Sequence, residues 1–344
     1  MNERLSDRTA AACLRAAVAA PSIHNTQPWR FRFDGTAFDL FTDPRRALGA
    51  IDPDGRGLHI SIGAAACNLR VALAAEGWAT RIERPGPGGG AARITPVARL
   101  GTSPATLALA GAIARRRTNR EPFSDAAVPA AVLDALRRAA AADGIRLVVL
   151  DPVRRGAVLA LTGAADAWQR ADPRYRSELA AWTTGHAERR DGVPATVFGP
   201  RSTTSAIALR DFGLQLTGAD RDTARFETHP RLVVLHSRGD DPGRWLDAGR
   251  ALERVLLTAA VHGLAAQPMT QALEVAHLRR LLAPPGGRWF PQMILRVGYG
   301  RPVSAGPRRP LRDVLLNAPG VALPLRSTAF SRGEPVAAGR RHQR

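Results

Sequence analysis

Hydrophobic and polar positions along this chain alternate between two periods, and the switches between them outline the elements. Ala10–Ala20 is apolar, follows Asp7 and Arg8, is interrupted by Arg15, and reads as a short amphipathic helix. Pro21 ends it and Pro28 keeps another from starting, so the polar run between them predicts an ordered loop. Trp29-Arg30-Phe31-Arg32-Phe33 then alternates large apolar with basic residues, which predicts a strand with one buried face; Phe38–Phe41 predicts a second. A turn-rich Asp52-Pro53-Asp54-Gly55 connection leads into a long helix from about Gly57 to Gly77. A strand near Arg93–Val97 and a helix from about Pro104 to Arg116 follow. Farther on, Arg231–His236 reads as a strand, Trp245–His262 as a helix and Pro291–Gly300 as a late strand.

Helices and strands mixed in this way predict an α+β fold. The two long helical segments also share punctuation. Gly63 and Gly77 have the same separation as Gly249 and Gly263, and Ala65 and Ala74 match Ala251 and Ala260. Alanine-rich helices align easily by chance, yet the match predicts two related halves, 1–103 and 104–325. The middle, about 166–213, differs in kind. Trp168, Tyr175 and Trp182 fall at a spacing that puts them on one side of a helix, which is core packing. Asp191-Gly192-Val193-Pro194 then breaks the helix and opens a long irregular stretch. Arg84 to Gly90, rich in proline and glycine, predicts a flexible surface loop, and 326–344 a disordered basic tail.

Composition changes the picture little. The formal net charge is +19, but every basic side chain other than histidine is arginine, which points to coding bias as much as to a polyanion partner. The arginines are scattered, with clusters at Arg115–Arg117, Arg308–Arg309 and the C-terminus. No aromatic-interleaved basic strand accompanies them, so the charge reads as solvated surface rather than a specific nucleic-acid site. Cys13 and Cys67 lack metal spacing and read as reduced core thiols. With no signal peptide and no apolar run of membrane-spanning length, the expectation is a soluble cytoplasmic protein without membrane partners.

The candidate chemistry sits in four runs. In Ala20-Pro21-Ser22-Ile23-His24-Asn25-Thr26-Gln27-Pro28-Trp29-Arg30-Phe31, Asn25 and Gln27 each offer a donor and an acceptor, suited to the edge of a planar heterocycle. A helix-to-strand connection whose amides satisfy their own backbone fits the same residues. Arg115-Arg116-Arg117-Thr118-Asn119-Arg120 carries guanidiniums that match a phosphate in fork geometry, or that complement a helix dipole. Gly263-Leu264-Ala265-Ala266-Gln267-Pro268-Met269-Thr270-Gln271 is a helix exit with Gly263 as its cap, and Glu274 reads as an early-turn helix residue. Pro307-Arg308-Arg309-Pro310 is a basic turn after the late strand. Metal spacings, a nucleophile elbow and a P-loop are absent.

In order and content these runs resemble the nitroreductase superfamily, and His24-Asn25-Thr26-Gln27-Pro28-Trp29 resembles its Acg-type branch. The resemblance covers about Leu14 to Leu315. It implies two fused pseudo-symmetric halves, each with an antiparallel sheet flanked by helices, and one non-covalent FMN per chain, since the second half lacks a copy of the Pro-Ser-x-His-Asn loop. It implies flavin contacts from Pro21, Ser22, His24, Asn25, Gln27, Pro28, Trp29 and Arg30. It implies a grip on the phosphate and ribityl chain by Arg116, Thr118, Arg120 and Arg308, with Arg309 second. Met269 and Thr270 would offer a backbone N–H to the flavin N5 edge. His24 is equally a structural histidine closing its own loop. The implied activity is hydride transfer from NAD(P)H through FMN to a nitroaromatic or quinone, with no catalytic side chain of its own. The alternative is an FMN-storing protein with 166–213 as a lid, and a remote one is a basic nucleic-acid-binding protein. A pseudo-dimeric monomer is the simpler assembly, with a homodimer open.

Overall fold

The computed structural model describes residues 4–84, 90–184, 188–203, 207–214, 221–316 and 323. Much of the expected loop at Arg84–Gly90 and the whole tail 326–344 lie outside the described residues.

The first half runs α1 (Asp7–Val18), β1 (Trp29–Phe33), β2 (Phe38–Thr42), α2 (Arg56–Ala75), β3 (Trp78–Glu83) and β4 (Ala92–Arg99). After α3 (Pro104–Ile113) the second half runs α4 (Ala130–Ala141), β5 (Arg146–Val149), α5 (Pro152–Ala171), α6 (Pro173–Ala181), β6 (Arg231–Ser237), α7 (Pro242–Val261), β7 (Ala265–Pro268), α8 (Gln271–Glu274), α9 (Ala276–Leu281) and β8 (Phe290–Gly298). The first sheet has the order β1-β2-β4-β3, the second β5-β6-β8-β7, and all pairings in both are antiparallel. Each sheet therefore has the same strand order, with a long helix connecting its second and third strands. The halves differ in one connection. β1 and β2 are joined by a tight turn through Asp34, whereas β5 and β6 are separated by everything from α5 to Pro230. The middle segment is an insertion at a hairpin turn.

α2 and α7 cross at the centre of the molecule. A Cβ on Gly63 would stand 2.1 Å from Leu246 O, and one on Gly249 would stand 2.0 Å from Ile60 O. The backbones meet where side chains would hold them apart. Gly77 and Gly263 then end the two helices at φ 81° and 72°, the left-handed region that glycine enters without strain. The glycines that match in sequence thus occupy matching structural positions.

Three expectations are corrected. Asp172-Pro173 divides the helix expected to carry all three aromatics, because Asp172 caps α6 by accepting from the Arg174 N–H at 2.8 Å. Tyr175 is buried, but Trp168 is 54 % exposed against His277 and is not core. α2 is long and apolar enough to cross a membrane, contrary to the expectation of no such run, but most of its surface is buried within the fold. The segment 104–325 does not lie wholly in the second half. Phe31 N–H donates to Val314 O at 2.8 Å, and Leu316 N–H to Phe31 O at 2.7 Å, so the chain end returns to β1.

Candidate functional site

Pro21 terminates α1 above the edge of β1, and the loop that follows is strained. His24, Asn25 and Gln27 stand at φ 44°, 54° and 49°. Such non-glycine conformations cost of order 1–3 kcal/mol each and persist only where the surroundings over-determine them. Here they do. Asn25 Nδ2 donates to Gly192 O (2.8 Å) and Pro307 O (3.1 Å), and its Oδ1 accepts from Arg308 Nη1 (3.0 Å). Gln27 Nε2 donates to Arg190 O (2.9 Å), and its Oε1 accepts from the Arg309 N–H (2.8 Å). Ser22 Oγ accepts from the Gln27 N–H (2.9 Å), and the Ile23 N–H donates to Ser61 Oγ on α2 (3.1 Å).

These bonds correct the expectation that both amides are free for a heterocycle. Gln27 is wholly buried and its amide is spent on tying the loop to the middle segment and the C-terminal turn. Asn25 borders the cleft but is likewise engaged. Pro28 passes its carbonyl to the Asp43 N–H, Trp29 is core, and Arg30 pairs with Asp43 and donates to Asp313 O (2.8 Å), all three away from the cleft. Met269 is also displaced from its expected role, because its N–H donates to Ile294 O at 2.9 Å. Of that pair, Thr270 is the one whose N–H has no acceptor among the described residues.

Pro21, Ser22, His24, Thr118 and Arg120 form the shared wall of two cavities, of about 270 and 110 Å³. The larger is lined by Arg116, Arg117, Arg120 and Arg308, and no acidic side chain faces it among the described residues. Burial, with Arg116 adding to it, lowers the Arg308 pKa to about 9; burial, with Arg210, lowers Arg120 to about 10. Guanidiniums so destabilised by desolvation gain strongly from an anion. The smaller cavity is walled by Ile60, Leu252, Met269 and Met293, with Arg56, Arg210 and Glu274 at its polar end. His24 projects into both. Neither of its ring nitrogens has a partner, and burial, aided by Arg210, lowers its pKa to about 3, so the imidazole is neutral at physiological pH.

The patterning missed the residues that close this cleft. Arg210, in the insertion, reaches both oxygens of Glu274 (2.7 and 2.6 Å) and also bonds the Tyr175 hydroxyl. Burial works against both ions of the pair, but their mutual attraction raises the Arg210 pKa and lowers that of Glu274. Phe212 stands edge-on to His24 with centroids 5.4 Å apart, and the Arg120 guanidinium lies 4.7 Å over Phe212. The sequence showed this stretch only as long and irregular; the contacts that anchor it were not legible.

The model of the Nitroreductase family matches residues 113–299. The chain is 35% identical over 319 residues to "Putative NAD(P)H nitroreductase Rv3131" of Mycobacterium tuberculosis, covering 90% of each chain. It is 31% identical over 314 residues to "Putative NAD(P)H nitroreductase acg" of the same organism, covering 88% of this chain and 93% of that one. Among solved structures, it is 23% identical, with a TM-score of 0.40, to the FMN and NADPH-dependent nitroreductase NfnB of Sphigopyxis, covering 62% of this chain and 99% of that one. With a family match over more than half its length and relatives at this identity along nearly all of it, the chain belongs to the nitroreductase family, on its Acg-type side.

Proposed function

We propose that the protein is an FMN-dependent oxidoreductase that passes electrons from NAD(P)H to a nitroaromatic or quinone. The observation that carries this reading is the cavity with four guanidiniums and no carboxylate, opening at His24 onto an apolar one. The residues present fit the group. Arg308 Nε and both His24 nitrogens are buried without hydrogen-bond partners, and Gln267 Oε1, on the apolar side, is likewise free. Bound FMN would supply hydride chemistry at its ring, which needs no acid–base pair from the protein. Arg116, Arg308 and Arg120 would hold the phosphate end, each charge-assisted bond contributing about 1.5–3 kcal/mol. Thr118, which lines both cavities, would stand against the ribityl chain. Neutral His24 and the Thr270 N–H would address the polar edge of the ring, and the apolar walls exclude water from it. Asn25 and Gln27 act here as positioning residues that hold Arg308 and Arg309. Both sheets and both central helices belong to one chain, so we read the assembly as a monomer.

The test is the visible spectrum of the purified protein on titration with FMN, followed by anaerobic NADPH. Tight uptake and rapid bleaching support the reading. A colourless protein that takes up no FMN refutes it. A flavin that dithionite reduces and NADPH does not would favour the second reading, FMN storage. That alternative is favoured by one specific observation, the buried Arg210–Glu274–Tyr175 contact that fixes the insertion over the apolar cavity.

A further inference from the structure

Behind the basic cavity lies a carboxylate that this reading leaves without a task. Glu253, on α7, is wholly buried, and its Oε1 is 3.3 Å from Arg116 Nε. The contact is an ion pair whose angle makes no hydrogen bond, and the Asn68 amide on α2 also stands against the carboxylate and favours its ionised form. Arg116 therefore faces the cavity on one side and Glu253 on the other. Arg308 lines the same cavity and acts electrostatically on the same carboxylate. The two guanidiniums also converge on the Ala19 carbonyl at the end of α1, at 3.4 and 3.2 Å.

Resting on the FMN reading above, we infer that Glu253 is the resident counter-ion of the phosphate cradle and takes up a proton when a phosphate enters it. Ionised Glu253 offsets one of the two charges of Arg116 and Arg308. An incoming phosphate brings −1.5 to −2 charges, roughly, and competes for the same guanidiniums. A buried carboxylate then faces an anion across Arg116. A proton taken from solvent onto that carboxylate removes the repulsion, and the O–H bond is the one covalent bond formed. Burial already pushes the Glu253 carboxyl up to about 7, with Arg116 and Arg308 pulling the other way, so both charge states are populated near neutrality.

The remaining groups facing Glu253 are occupied. On α2, Asn68 Nδ2 donates to Ala16 O at 3.1 Å, and burial pushes the Cys67 thiol up to about 12, leaving it neutral. On α7, Arg250 and Arg254 are held by Asp143 at 2.9 and 3.0 Å. Arg117 acts through Arg308.

The experiment is calorimetric titration of FMN into the flavin-free protein in buffers of differing ionisation enthalpy. Near pH 7 the wild type takes up about half a proton more than E253Q, since the carboxyl titrates at about 7 and the phosphate's own titration is common to both. Between pH 7 and 8, below the titration of Arg308 at about 9, the wild-type FMN affinity falls, approaching tenfold per pH unit, while E253Q stays flat. Riboflavin, lacking the phosphate, elicits no uptake from either. Equal uptake in the two proteins overturns the inference. Should E253Q fail to fold, the infrared difference spectrum of the wild type decides: a carboxylic-acid C=O band gained on FMN binding supports it, and no gain overturns it. Inorganic phosphate separates the two readings. Phosphate binding with proton uptake but no FMN binding keeps the counter-ion and removes the flavin, and binding of neither removes both.

Discussion

Replacing Glu274 by Gln tests whether the insertion is held shut by a single buried pair. The side chains of Arg210 and Glu274 are 7% and 3% exposed, so solvent screens their attraction little. Glu274 also accepts from Gln169 Nε2 on α5 at 2.7 Å, and the carboxylate therefore ties two parts of the insertion to α8. The substitution keeps the volume and removes the charge, leaving the buried Arg210 guanidinium with Tyr175 and Thr270 beside it and the charge of Asp166 farther off. Breaking one side of a buried pair costs about 3–5 kcal/mol. In an open state both groups are hydrated and the cost vanishes, so the closed state alone loses it. At about 1.4 kcal/mol per decade, the open fraction rises by roughly two to three and a half orders of magnitude. The assay is stopped-flow reduction by NADPH under anaerobic conditions, paired with iodide quenching of the flavin. E274Q is expected to reduce faster and quench more steeply while retaining stoichiometric FMN. A variant that folds, binds FMN and matches the wild type in both rates would refute the reasoning, because the latch would then carry no closing energy.

Three further outcomes follow from the same contacts. Losing Arg116 and Arg308 together in R116A/R308A removes about 3–6 kcal/mol of charge-assisted bonding, so FMN affinity should fall by roughly 10²- to 10⁴-fold with riboflavin little affected; undiminished retention on gel filtration would contradict this. Because His24 has a folded pKa of about 3 against an ordinary 6.5, the unfolded chain binds more protons between those values, and stability should fall with acid there by up to about 1.4 kcal/mol per pH unit. Urea midpoints of the flavin-free protein should show that slope flattened in His24→Asn. Gly249→Ala would drive a Cβ to 2.0 Å from Ile60 O at the helix crossing, and a loss of at least about 1–3 kcal/mol is expected from chemical denaturation. An unchanged midpoint would mean the helices separate without cost.

Patterning by itself determined the parts of this protein whose causes are local. The alternation in Trp29–Phe33, the proline-bounded loop between α1 and β1, and the long helices α2 and α7 all follow from residues a few positions apart. The matched glycines at 63 and 249, and at 77 and 263, were readable as a repeat because a helix crossing and a helix cap each demand that residue at one place. Arg116 and Arg308 were candidates through the resemblance, since by pattern alone a basic helix end or a surface turn fits the same residues. β5 was not read: four residues carry too short an alternation. Tertiary structure alone decided what each polar group does with its bonds. Gln27 offers an amide to any heterocycle on paper, yet its partners are Arg190 and Arg309, far along the chain, and they consume it. Glu274 looked like a helix-turn residue until Arg210 reached it from the insertion, and Glu253, which the sequence did not single out, gained its neighbour only when folding buried it behind Arg116. A buried polar or charged group must be paired or change its protonation, and the chain order of its partners places no limit on where they come from. Periodicity locates a side chain on an element; only the fold says which charge stands next to it.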